Sequence, residues 1–211
     1  MDSHLKKIET PYVEAQTLLT LFAGYKKPRE CILRLIQKKE LIRLKNGYYL
    51  IAEKIHQKEG TFIPYEQIAN WLYGPSYVSL EWALSFYGMI PERVHTITSM
   101  TLGRNKEYRT PIGNFSYHKL TYKQYFYGVT LKKTPGFVGG FLMATPEKAL
   151  ADLVFKTCKG LDKNHLRLEL LESKRIEPEV FQQLNKNLLA EISQNYRAKS
   201  VDALANLVGS L

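Results

Sequence analysis

The sequence predicts an α+β fold in two parts, on three observations. Helix-like segments open the chain, a hairpin signal at Asn46-Gly47 follows them, and a β-rich, glycine-punctuated stretch from Val94 to about Ala144 sits between further helical patterns. The 211 residues are 45% hydrophobic and 24% charged, enough apolar matter to bury a core and too much for a disordered chain.

Thr10-Pro11 has the form of a helix start, with Thr as N-cap and Pro at the first helical position, and predicts a helix to about Phe22 that Gly24 ends. Pro28 opens a second helix, PRECILRLIQKKE. Cys31, Ile32, Leu33, Leu35 and Ile36 cover one broad side of its wheel, and Glu30, Arg34, Gln37 and Lys38 share the other. Glu30 suits the positive end of the helix dipole. Leu41–Lys45 and Tyr48–Ala52 then flank Asn46-Gly47, the pair that a type I′ turn with two positive φ angles favours. Ile42 and Leu44 alternate with Arg43 and Lys45, so one hairpin face is expected to be apolar and the other basic.

Helix, turn, helix and basic hairpin in this order predict a winged helix-turn-helix over residues 1–60. The chemistry suits double-stranded DNA: a helix enters a major groove while the hairpin tip meets the adjoining backbone. Arg34 and Gln37 can make bidentate contacts to base edges, and Lys26, Lys27, Arg43 and Lys45 can meet phosphates. Arg29, Lys38 and Asn46 complete the expected contact set.

Residues 61–211 are expected to form a separate α+β domain with a mostly antiparallel sheet, joined near residues 53–62. Pro64–Leu72 reads as a helix stopped by Gly74-Pro75. SYVSLEWALSFYG reads as another, capped by Ser76 and ended by Gly88, with a core stripe of Val78, Trp82 and Phe86. Strands are expected at about 94–100, 107–112, 115–121, 128–132 and 137–143. Thr145-Pro146-Glu147 starts a helix with Leu150, Leu153 and Val154 facing inward. Further helices are expected at about 163–173, 178–196 and 200–208.

Charge refines the reading. Lys plus Arg number 30 against 20 acidic residues, a net charge of +10. Residues 1–60 and 111–160 each carry a net +5, and Gly24–Tyr48 alone holds eight basic side chains. Such a balance favours a polyanionic partner. Arg104 and Arg109, just before the second block, and Lys119, Lys123, Lys132 and Lys133 within it form a possible secondary basic face. Lysines there interleave with Tyr117, Tyr122, Tyr125 and Tyr127. That pattern suits single-strand stacking, but an antiparallel sheet with lysine-guarded edges explains it more simply.

Other classes have little to rest on. The opening MDSHLKKIETPY has no apolar core, so no secretory leader is expected, and no run of 18 apolar residues exists. Cys31 and Cys158 are too far apart for a metal knuckle and fit a reducing cytoplasm. No phosphate loop, HExxH or G-x-S-x-G motif occurs, and the five histidines are scattered. No catalytic residue, metal or cofactor is therefore expected, and no membrane partner. The alternative function is a stand-alone transcription factor whose second domain senses a ligand.

Two later motifs add a resemblance. YVSLEWALSFYG fits a pattern Y-h-S-x-x-x-A-L-x-x-h-G (h apolar) through Tyr77, Ser79, Ala83, Leu84 and Gly88. PEKALADL supplies Pro146, Glu147, Lys148, Ala149, Leu150, Asp152 and Leu153. With the hairpin LKNGYYLI before them, these motifs resemble the AbiEi-type antitoxins of bacterial type IV toxin–antitoxin (abortive infection) systems, over about residues 10–155. The resemblance implies a non-enzymatic transcriptional autorepressor that binds an operator inverted repeat. It also implies that the C-terminal domain counteracts a nucleotidyltransferase-like toxin, direct contact not being required.

Overall fold

A computed structural model of the chain describes residues 2–57 and 60–210. The chain is mixed α+β, with a mostly antiparallel main sheet. After a 3-10 turn at Leu5–Lys7, the N-terminal elements are β1 (Tyr12–Glu14), α1 (Ala15–Leu21), α2 (Pro28–Gln37), β2 (Leu41–Lys45) and β3 (Tyr48–Ile51). The expected helix start at Thr10-Pro11 is instead a strand. Tyr12, Val13 and Glu14 pair antiparallel with Leu50, Tyr49 and Tyr48, and the Ile51 amide donates to the Pro11 carbonyl. Tyr and Val favour the pleated backbone, and the open edge of β3 outweighs the local capping signal. The three strands run in the order β1–β3–β2.

The hairpin forms at Asn46-Gly47, but only Gly47 takes a positive φ, 78°, so the turn is not type I′. Leu44 is skipped in the pairing, between Arg43 opposite Tyr49 and Lys45 opposite Tyr48. This bulge breaks the expected alternation. Arg43 remains exposed, whereas Lys45 turns toward the rest of the molecule.

The linking elements are α3 (Ala52–Ile55), β4 (His56–Gln57) and β5 (Gly60–Thr61). The predicted junction near 53–62 includes Lys58 and Glu59, which lie outside the described residues. Beyond it come α4 (Tyr65–Leu72), β6 (Ser76–Val78), α5 (Leu80–Phe86), β7 (Thr96–Thr101), β8 (Lys106–Thr110), β9 (Gly113–Lys119), α6 (Tyr122–Tyr125), β10 (Val129–Lys132) and β11 (Phe141–Ala144). α7 (Pro146–Thr157), α8 (Lys163–Leu168), a π-helical turn at Glu169–Ser173, α9 (Pro178–Gln183), α10 (Lys186–Tyr196) and α11 (Lys199–Gly209) complete the chain.

Six strands form the main sheet in the order β10–β11–β6–β7–β9–β8. Three of its pairings are antiparallel, while β11–β6 and β7–β9 are parallel. Ser76-Tyr77-Val78, expected to open a helix, is a buried strand that pairs with Thr101, Met100 and Ser99. Ser79 takes the N-cap position, so Val78 leaves the expected stripe, and Phe86 at its far end is exposed. The predicted helix 178–196 is interrupted at Leu184-Asn185, where the Asn185 side chain accepts from the amides of Asn187 and Leu188 and starts α10.

Register assigns the two faces of the sheet. Tyr77 lies opposite Met100, and the neighbouring Ser99 lies opposite Tyr117, so the two tyrosines point to opposite sides. Tyr117 donates to the Ala69 carbonyl of α4 at 2.7 Å, and Tyr77 donates to Asp152 of α7 at 3.0 Å. α4 and α7 therefore cover opposite faces. α7 is enclosed by α5, α10 and α11, and every residue from Glu147 to Val154 is buried.

Two hydrophobic cores result. The smaller joins Leu5, Val13, Leu18, Phe22, Ile32, Leu35, Leu41, Tyr49 and Ile51. The larger fills the sheet–helix layers and also takes in Leu44 and Leu50 from the hairpin. The three-stranded sheet is thus a partition with an apolar side facing each core.

Buried tyrosines set the alkaline limit of this fold. Burial pushes Tyr125 up to about 12, and burial with the nearby Glu147 pushes Tyr87 up to about 12. Tyr117 is raised further by burial, and Tyr77 and Tyr196 by burial and the Asp152 carboxylate. In the unfolded chain all five ionise near 10, so their stabilisation is complete below pH 10 and is lost as pH rises through the folded values. Base titration should release the last part of the tyrosinate absorbance only together with loss of helical circular dichroism. The full absorbance of all 14 tyrosines with the native signal intact would show these phenols to be accessible.

Candidate nucleic-acid interface and the buried motif cluster

α2 begins at Pro28, whose fixed φ suits the first helical turn, and ends at Gln37. Cys31, Ile32 and Leu35 anchor it in the small core. Its outer face presents Arg29, Glu30, Leu33, Arg34, Gln37 and Lys38, all exposed. Leu33, expected on the core side, is 57% exposed in the middle of this face. α2 is packed on one side, along the arc of Cys31, Ile32 and Leu35, and Leu33 falls outside that arc.

Polar partners separate the expected contact residues. Lys27 pairs with Glu30 at 2.7 Å across the first turn, an exposed pair of small energetic weight. Arg34 lies along its own helix, with Nε 3.5 Å from the Glu30 carbonyl and a terminal nitrogen 3.4 Å from Cys31 Sγ. Arg43 donates to Asn46 Oδ1 across the hairpin tip. Lys26 is exposed beside the start of α2.

Lys45 differs from the others. Its ammonium donates to the Leu72 carbonyl at 2.5 Å and sits 3.8 Å from the centre of the Tyr48 ring and 5.1 Å from that of Tyr108. Burial pulls its pKa down, with Glu14 acting in the opposite direction. It tethers the hairpin to the larger domain. Beside it, Trp71 of α4 packs on Tyr12 and Tyr48, each at 4.7 Å between ring centres.

The six residues of the expected secondary basic face do not share one surface. Arg109 lies on edge strand β8 opposite Asn114, whereas Arg104 and Lys119 lie toward the other end of that strand, where Lys106 pairs with Tyr117. β8 adjoins β2. Lys132 and Lys133 lie at the opposite edge, on and just after β10, five strand spacings away, roughly 24 Å. Lys123 is on α6, four residues after Lys119 and beyond the end of β9.

The two sequence motifs meet at a site that spacing could not reveal. Lys148 and Asp152 are fully buried one turn apart on α7, with Nζ 3.5 Å from Oδ1. Ser79 donates to Asp152 Oδ2 at 2.6 Å and Tyr77 to the same oxygen at 3.0 Å, while Tyr196 donates to Oδ1. Lys148 in turn donates to Tyr196 Oη at 2.6 Å and to the Gln124 carbonyl. β6, α6, α7 and α10 are thereby held to one ion pair. The neighbouring Gly128 takes φ +75°, and a Cβ there would come within 2.8 Å of Lys148 Cβ. No protein-family model matches this chain, and no curated protein matches it. Tyr77, Ser79, Lys148, Asp152 and Tyr196 are all buried, and each buried charge has a counter-charge and hydrogen bonds, as a structural lock requires. The available signal was Lys148 and Asp152, spaced i, i+4 and flanked by Ala149, Leu150, Ala151, Leu153 and Val154.

Among the described residues no helix is long and apolar enough to cross a membrane.

Proposed function

We propose that residues 1–60 are a winged helix-turn-helix that binds double-stranded DNA, and that the chain acts as the autorepressing antitoxin of a type IV toxin–antitoxin operon in the cytoplasm. The observation that carries the DNA reading is the outer face of α2. Arg29, Arg34, Gln37 and Lys38 stand exposed there around Leu33, with Arg43 and Asn46 at the tip of the adjoining hairpin. Guanidinium and amide groups suit base edges, an apolar side chain suits a thymine methyl, and the flanking lysines suit phosphates. The β1–β3–β2 sheet behind the two helices supports reading the hairpin as a wing. The antitoxin reading is supported by the convergence of Tyr77, Ser79, Lys148 and Asp152, residues of both motifs, on one buried cluster. In this reading the partner toxin is nucleotidyltransferase-like, and its neutralisation belongs to the domain this cluster locks.

Gel-shift titrations on the DNA upstream of the gene, and on a scrambled duplex, at several salt concentrations test the binding. Arg34→Ala should cost about 1–3 kcal/mol on the operator and relax discrimination at one base pair. Arg43→Ala should weaken all sequences alike and lower the salt slope by about one unit. Lys45→Ala should leave the slope unchanged, because that ammonium is already engaged by Leu72. Reversal of Lys132 and Lys133 to Glu should also leave affinity unchanged, since the far sheet edge carries them. An Arg34→Ala variant with intact affinity and discrimination would remove α2 as the reading helix. Co-expression with the product of a neighbouring nucleotidyltransferase-like gene tests the antitoxin half, and growth arrest that the full chain does not relieve would overturn it.

A further inference from the structure

We propose that the groove between α6 and the C-terminal end of α10 binds single-stranded nucleic acid by base stacking. This surface is separate from α2. Tyr122, Phe126 and Tyr127, 72%, 52% and 47% exposed, form one side of an open groove of about 470 Å³. Lys123, Gln194, Asn195 and Arg197 complete it. Tyr122 and Phe126 meet edge to face at 4.7 Å, so the two rings are not stacked face on face.

The shelf is built on a rigid base. A capping box between Thr121 and Gln124 closes α6, and Gln124 Nε2 donates to the Tyr196 carbonyl at 3.2 Å, which ties α6 to α10. Buried Tyr125 packs on Tyr77 at 4.9 Å and on Phe126 at 5.1 Å. Arg197 caps α10 in the left-handed region at φ +49°, a conformation a non-glycine residue holds at a cost. Three rings left in water at one groove call for an occupant.

Charge identifies its class. No Asp or Glu occurs between Glu107 and Glu147, and Glu191 is the one carboxylate of α10. Neither Lys123 nor Arg197 is ion-paired among the described residues. The occupant is therefore an anion that also offers flat aromatic faces. Unpaired nucleotides combine the two: bases stack on the rings while phosphates follow the cations, largely without sequence preference. A duplex keeps its base faces stacked inside and cannot use the shelf.

Fluorescence anisotropy of labelled oligothymidine and oligouridine, titrated with the full chain at low salt, tests this. Tyr122→Ala/Phe126→Ala should weaken binding about tenfold or more, and Tyr122→Trp should retain it. Lys123→Glu/Arg197→Glu, which leaves the rings in place, should also weaken binding and flatten its salt dependence by roughly 0.7 per cation. Arg34→Ala should bind the oligonucleotides unchanged, which separates this site from the duplex interface. No binding of either oligonucleotide, or binding undiminished in both double variants, would overturn the proposal. So would displacement by polyglutamate more readily than by unlabelled oligonucleotide, which would make the groove a dock for an acidic protein segment.

Discussion

Asp152→Ala should destabilise the folded chain by about 3–5 kcal/mol, because it leaves the Lys148 ammonium enclosed without its counter-charge. Tyr77, Ser79 and Tyr196 would lose their shared acceptor in the same step. Urea denaturation measures the loss, and the double variant Lys148→Met/Asp152→Ala should be less damaged than the single losses combined, since no orphan charge remains. The deficit should also depend on pH. Burial holds Lys148 below its ordinary 10.5 while Asp152 pulls it up, so removal of Asp152 deepens the depression. A lysine with a depressed folded pKa penalises folding while charged, and the penalty fades as pH rises toward the unfolded value. The single variant should therefore recover part of its lost stability between neutral pH and about pH 10, before the tyrosines reverse the trend. A pH-independent deficit below 1 kcal/mol would show that the cluster carries no such charge.

Trp71→Ala should cost about 2 kcal/mol, less than a fully enclosed tryptophan because Trp71 is partly exposed. The loss should fall on the contact between the hairpin and the larger domain, since Tyr12 and Tyr48 both pack on this ring. Limited proteolysis should then cut residues 52–64 faster, while hydrogen exchange in α7 stays slow. A double-mutant cycle with Lys45→Ala should show coupling, because Lys45 bonds the carbonyl of the next residue, Leu72. Additive losses would mean that the ring and the ammonium hold the two parts independently.

Strong local chemistry made several elements legible. Pro28 and Thr145-Pro146 start their helices where the sequence predicts, and Gly47 turns the hairpin. The misses have a common physical origin. Tyr12–Glu14 and Ser76–Val78 are strands of three residues, too short to display a period, and pairing with distant partners decides them. The bulge at Leu44 reverses Lys45 without any glycine or proline to announce it. The α2 surface was largely visible in its charge pattern, Leu33 excepted. The cluster around Asp152 was not, because Tyr77 and Asp152 meet across 75 residues of chain.

The partition formed by the three-stranded sheet bears on how such a protein can be taken apart or recombined. Its far side, with Leu44, Leu50, Tyr12 and Tyr48, packs into the core shared with α4 and the main sheet. A fragment ending at residue 60 would carry that apolar side bare into water and associate with itself. A chimera that exchanged this head for another would need to import Trp71 and the rest of α4 with it. Grafting boundaries therefore belong after Leu72, not in the polar stretch before Tyr65.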